Sequence, residues 1–180
     1  MNKLPDHTSL KEWTSVIEAL GRGEQIILIR KGGIADPHFG VEADRFYLYP
    51  TVFHQAEGSE PRDVTITHWC EVVKTWRVNE QERLYRLEPH VVMPRETLDA
   101  RYRFRPDQAL YIIAVRTFAL ARPVTIAQKA EYVGCRSWVS VDDEIDVEGS
   151  TPALGEAELS ERVAEIGVIL RRGDAEGSVA

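Results

Sequence analysis

The segment from Ala109 to Leu120 (ALYIIAVRTFAL) most limits what this chain can fold into. Its first seven residues, Ala109 to Val115, are an unbroken apolar run. Apolar side chains at both odd and even positions leave no face for water, so the segment reads as a central strand covered on both sides. It is far short of the roughly 20 apolar residues that cross a membrane as a helix. Shorter strand-like segments can lie beside it. Gln25 to Arg30 is rich in Ile and Leu. Arg45 to Gln55 (RFYLYPTVFHQ) alternates Phe46 and Leu48 against Tyr47 and Tyr49. Pro50 lacks a ladder donor and marks an edge, a bulge or the strand's end. Val64 to Val78 is long enough for one bent strand or two shorter ones. Leu84 to Val92 is weakly strand-like, and Trp138 to Val141 is a short strand. Gln55 to Asp63 is a turn-rich loop.

Helical spacing is confined to the two ends. Leu10, Trp13, Ile17 and Leu20 recur on one face, which predicts a helix over Ser9 to Leu20. Ser9 and Glu12 have capping-box spacing, and Gly21 is a stop. Glu156 to Arg171 reads as an amphipathic helix with Leu159, Val163, Ile166 and Leu170 on one face. The expectation is an α+β single domain. Its centre is a twisted β-barrel or sheet of about six or seven strands, with an N-terminal and a C-terminal helix. Residues 1–148 form the β-rich core, and residues 149–180 form an acidic C-terminal helix and a frayed tail.

The charge divides along the same line. The 180 residues carry a net −7, but residues 1–141 sum to +1 and the last 39 to −8. The near-neutral body therefore has no general repulsion for a polyanion. With 43% hydrophobic and 28% charged residues, the composition is globular. Met1 to Leu10 has no apolar core of a secretory signal. Cys70 and Cys135 are too few for a disulfide scaffold, so a cytoplasmic setting is expected.

Several catalytic signatures are missing. The chain has no phosphate-binding G-x-x-x-x-G-K-[ST], no G-x-G-x-x-G after a strand, no H-E-x-x-H, no C-x-x-C and no G-x-S-x-G. No lysine has an acid two residues before it, as a common nuclease motif requires. His54, His68, Cys70 and His90, with Cys135, match no zinc-finger spacing. No cofactor, metal or catalytic residue is assigned on these grounds.

Three constellations carry binding chemistry. If extended, Arg101-Tyr102-Arg103-Phe104-Arg105 puts Arg101, Arg103 and Arg105 on one face as a phosphate-binding ridge, with Tyr102 and Phe104 on the other. Arg30-Lys31-Gly32-Gly33 places a basic pair before two glycines whose backbone N–H groups can form an anion nest. Tyr49, His54, Gln55, Arg136 and Trp138 offer hydrogen-bonding and stacking groups for a pocket.

Leu10 to Leu20 followed by ILIRKGGI, FYLYPTVFHQ, RYRFRP, ALYIIAVRTF and YVGCRSW resembles the prokaryotic domain of unknown function 1802 family, over roughly Leu10 to Val141. The resemblance implies a restriction or defence setting, since some members occur with restriction-endonuclease domains. His90-Val91-Val92-Met93 departs from the aromatic-containing stretch expected there. Cys70 to Trp76 and Leu110 to Ile126 are similar in order to the second half of EVE and related PUA-like barrels, which read nucleobases. The combined expectation is a non-catalytic accessory module that binds DNA or RNA and reads a modified base. In it, the arginine ridge and Lys31 with Gly32 and Gly33 hold phosphates. Two readings remain open beside it. One is an atypical metal-dependent nuclease or hydrolase using Glu42, Asp44 or Glu71 with Lys31 or His54. The other is an interaction module whose C-terminal helix docks on a second copy or a partner protein. No membrane association is expected.

Overall fold

The computed structural model describes residues 4, 7–31, 39–51, 63–134 and 136–171. Seven strands form one mixed sheet: β1 (Thr8–Trp13), β2 (Ile27–Arg30), β3 (Arg45–Thr51), β4 (Val64–Val78), β5 (Leu110–Ile126), β6 (Trp138–Ser140) and β7 (Thr151–Pro152). The order is β2-β5-β4-β3-β1-β6, with β7 added to β5. The fold is α+β, as the periodicity predicts. β5 lies between β2 and β4, and Ile112, Ile113, Ala114 and Val115 are buried on both faces. The Val64–Val78 segment is one strand, bent by register shifts between Ile66 and His68 and between Val72 and Lys74.

β1 and β2 are separated by three strands along the hydrogen-bonded path. Their side chains nevertheless meet, because Arg30 Nη1 lies 3.2 Å from Glu12 Oε2 and 3.1 Å from the Lys11 carbonyl. The twist of the sheet curls it until these strands face each other across a seam. Helix α1 (Thr14–Gly21) fills the concave side, where Val16, Ile17 and Leu20 pack with Leu10, Leu28, Leu48 and Ile113. Gly21 gives room to the His68 ring, since a Cβ there would sit 2.4 Å from Nε2 and force the ring to move.

The start of the predicted N-terminal helix is a strand. Ser9 to Trp13 pairs in parallel with Tyr47 to Thr51 of β3, and Thr8 to Leu10 pairs with β6. Two ladders outweigh one turn of helix, and the Leu10–Trp13 spacing is coincidental there. Ser9 is not a cap. Trp13 stands at the cap position with extended backbone, its N–H donating to Glu12 Oε1 at 2.9 Å.

Between β4 and β5 the chain makes a helical excursion. Leu84 to Val92 is not a strand. It contributes to helix α2 (Gln81–Tyr85) and a 3₁₀ turn at Glu88–His90. Helix α3 (Arg95–Arg103) follows, started by extended Pro94 and buried through Leu98. Glu96 in its first turn and Arg101 and Arg103 in its last suit the helix dipole. Helix α4 (Glu156–Arg171) has the predicted span. Its Leu159, Ile166 and Leu170 are buried with Ile26, Ile112 and Leu84, and Val163 packs against them. This stripe is therefore covered by the chain's own core. Among the described residues, no helix is long and apolar enough to cross a membrane.

Candidate anion-binding cavity

A cavity of about 580 Å³ opens at the seam. β1 contributes Lys11, Glu12 and Trp13, and the end of β2 contributes Arg30 and Lys31. α3 and the residue after its end form a second wall through Thr97, Arg101 and Phe104. Gly134, Arg136 and Ser137 form a third, and Thr51 and exposed Glu96 also line the cavity.

Glu12 organises the floor. It is 1% exposed, and both carboxylate oxygens are engaged. Oε2 accepts from Arg30, while Oε1 accepts from the Trp13 N–H and lies 3.8 Å from Arg101 Nη2. Arg101 also donates to the Ile29 carbonyl, and its guanidinium lies over the Trp13 ring at 5.0 Å. Burial pulls the Arg101 pKa down to about 10, with Glu12 opposing and Arg30 reinforcing the shift. Arg101 thus remains a cation at neutral pH.

Two lysines complete the charge. Lys11 is 8% exposed, donates to the Gly134 carbonyl at 3.0 Å and lies 5.9 Å from the centre of the Tyr49 ring. Lys31 is 5% exposed and donates to the Tyr102 carbonyl at 2.5 Å. Burial lowers the Lys31 pKa, and nearby Asp107 partly offsets this. Each lysine is oriented by a hydrogen bond to a backbone carbonyl.

The structure brings together Arg30, Lys31, Arg101 and Arg136 from the residues singled out by sequence. Arg101, Arg103 and Arg105 do not form a ridge. On a helix, residues two apart point to different sides. Arg101 turns into the cavity, and Arg103 turns to solvent. Arg105 lies past the helix end with φ of 48° and sits over the Phe104 ring at 4.9 Å. Alternating Arg and aromatic residues mimic a strand here.

Tyr49 and Trp138 are structural neighbours of the cavity and do not line it. Tyr49 is buried edge-on to Tyr132, and burial raises its phenol pKa. Trp138 donates to the Gly40 carbonyl at 2.9 Å and packs between Phe39 and Phe46. Gly32, Gly33, His54, Gln55 and Cys135 lie outside the described residues.

The acids considered for hydrolysis, Glu42, Asp44 and Glu71, do not line the cavity, and Glu71 is bound to Arg45 at 2.8 Å. Cys70 is fully buried, with its thiol pushed up to about 12, so it has no nucleophilic character at neutral pH. His68 packs against Gly21 and bonds the Thr67 hydroxyl at 2.8 Å, and His90 ends the 3₁₀ turn. Among the described residues, no cluster of three or more His, Cys, Asp or Glu could hold a metal ion.

Lys11, Glu12 and Trp13 are cavity residues that the sequence does not single out for this role. The only available signal is the charged pair Lys11-Glu12 inside an otherwise buried segment. It is legible only once that segment is known to be a strand.

The match to the family described as "Domain of unknown function (DUF1802)" spans residues 9–165, and the chain belongs to that family. No curated protein matches it. Two crystal structures of ASCH variants from Zymomonas mobilis share its fold at 10% identity. The serine-to-alanine variant gives a TM-score of 0.50 and covers 90% of this chain and 99% of its own. The tyrosine-to-phenylalanine variant also gives 0.50, covering 87% and 96%. This likeness places the chain among PUA-like α+β folds.

Proposed function

We propose that this member of the DUF1802 family is a nucleic-acid-binding module, with the seam cavity as its binding site. The carrying observation is the convergence, among the described residues, of Lys11, Arg30, Lys31 and Arg101 on a cavity whose floor holds the buried carboxylate of Glu12. Guanidinium and ammonium groups held in place by the fold donate charge-assisted hydrogen bonds to phosphate without further ordering cost. The volume suits one nucleotide unit. Phe104, 37% exposed at the mouth, offers a ring for base stacking. In this reading the module is an accessory factor in the restriction or defence setting that the family resemblance implies. Base selection, including that of a modified base, belongs to the groups at the mouth. Residues 1–148 carry the binding surface, and β7 and the acidic helix α4 beyond them pack onto that core.

The test is fluorescence anisotropy of labelled single- and double-stranded DNA and RNA at about 50 and 200 mM salt, where phosphate-driven binding differs by orders of magnitude. Lys31→Gln is expected to weaken binding and reduce the salt slope by about one. Binding that ignores salt, or the absence of binding to every probe, would overturn the proposal.

A further inference from the structure

On the premise that the seam cavity binds nucleic acid, its cations serve only if they are held toward it. Arg30 is held by the sheet itself, through Glu12 and the Lys11 carbonyl of β1. Lys31 is a different case. It follows the last residue of β2, lines the cavity and is 5% exposed. A lysine ammonium is a point charge on a flexible four-carbon stem, so its aim must come from its surroundings.

Tyr102 supplies that aim twice over. Its carbonyl, in the last turn of α3, accepts from Lys31 Nζ at 2.5 Å. Carbonyls in that turn lack intrahelical partners, and the negative end of the helix dipole favours a cation there. The face of the Tyr102 ring also meets the ammonium, with Nζ 5.2 Å from its centre. The ring is fixed in turn. Its hydroxyl donates at 2.9 Å to the carbonyl of Asn79, the residue after β4, and its body packs on the core that holds Leu98 and Leu84. Tyr102 does not itself line the cavity, whereas its neighbour Arg101 does. The tyrosine therefore ties the end of β4 to Lys31 from outside the cavity wall.

We infer that Tyr102 is a positioning residue for the seam cavity: it aims the Lys31 ammonium at the phosphate without touching the ligand. An ammonium already held by a carbonyl and a ring face has lost its freedom before the ligand arrives. Without the ring, binding must order the lysine, which weakens affinity by about twofold to tenfold.

The experiment is a double-mutant cycle on the full chain, read by anisotropy of a labelled single strand at about 100 mM salt. Tyr102→Leu removes the ring and its tether and keeps the backbone carbonyl. It should weaken binding by about fivefold. In the Lys31→Gln background the same substitution should cost less than about twofold, because the group it positions is gone. Tyr102→Phe keeps the ring face and should bind within about twofold of the unmodified protein. Thermal melts confirm folding, and Tyr102→Met takes the place of Tyr102→Leu if the latter does not fold. Equal losses in the two backgrounds would show that Tyr102 acts independently of Lys31. That result, or unchanged binding by Tyr102→Leu, overturns the inference and leaves the nucleic-acid reading standing. Failure of the unmodified protein to bind overturns both.

Discussion

Arg101 and Asp99 leave the same helix two residues apart and enter opposite surroundings. Arg101 meets a carboxylate that is 1% exposed, beside a second guanidinium and under the edge of the sheet. Asp99 joins a surface network, accepting hydrogen bonds from Tyr85 and Gln81 near Arg95, which itself pairs with Glu88. Residue types and hydrogen-bond counts are similar in the two clusters. The difference is access to water. At the surface, solvent and salt screen the charges, and the network follows whatever position the helices take. At the seam, screening is weak, so each charge must be answered by protein or ligand. A charged cluster therefore says little about function until its burial is known. The seam cluster carries the functional argument because its charged groups are buried and line a cavity.

The largest expected effect separates the two clusters by stability. Glu12→Gln leaves Arg30 and Arg101 without a carboxylate and should cost about 3–5 kcal/mol in urea unfolding, the usual result of removing one partner from a buried ionic set. That cost should barely change between low and high salt. A loss below about 1 kcal/mol, or one that salt abolishes, would put the seam cluster in the surface class.

A smaller effect sharpens the account of the seam through pH. The folded Arg101 pKa is about 10, below its ordinary 12.5. Folded protein therefore sheds this proton before unfolded protein does. Between those values the group's contribution to stability rises with pH, while the cation available to a ligand is lost. Anion binding should decline as pH rises through about 10, with Lys31, also lowered, adding to the fall. Phosphate binding that stays constant to pH 11 would contradict a role for these cations.

The smallest effect belongs to the surface cluster. The Tyr85 hydroxyl, with Gln81 and the nearby arginines, holds the Asp99 carboxyl below its ordinary pKa of 3.8. Its contribution is present above 3.8 and disappears as pH falls through the lowered value. Since the site is open to solvent, Asp99→Asn should leave the melting temperature at pH 7 within replicate scatter. A clear drop would show that the network does more than decorate the excursion.

Sequence made the sheet more legible than the cavity, for physical reasons. Burial on both faces wrote β5 as an apolar run, and a one-sided stripe wrote α4 to the residue. These patterns report local periodicity against a core. The cavity depends on the closeness of β1 and β2, which no local pattern encodes. Glu12 looked like a cap because Leu10 and Trp13 fit a helical face, whereas pairing with β3 settled that segment. The chemistry of Arg101 is legible in the sequence and its geometry is not, because an alternating Arg–aromatic run fits a strand as well as the last turn of a helix. Arg30 and Lys31 are legible because a basic pair at the end of an apolar strand stands out in the sequence.

The most direct test removes one positive charge from each cluster on the same helix. Arg101→Gln and Arg95→Gln change net charge equally, and Arg95 pairs with Glu88 away from the cavity. Anisotropy with a labelled single strand at about 100 mM salt should show Arg101→Gln losing about tenfold or more in affinity, corresponding to about 1.4 kcal/mol. Arg95→Gln should match the unmodified protein, with both variants folded by thermal melt. Equal losses would mean that the strand responds to overall charge, and a loss confined to Arg95→Gln would place the binding surface on the excursion; either result would contradict the seam as the site.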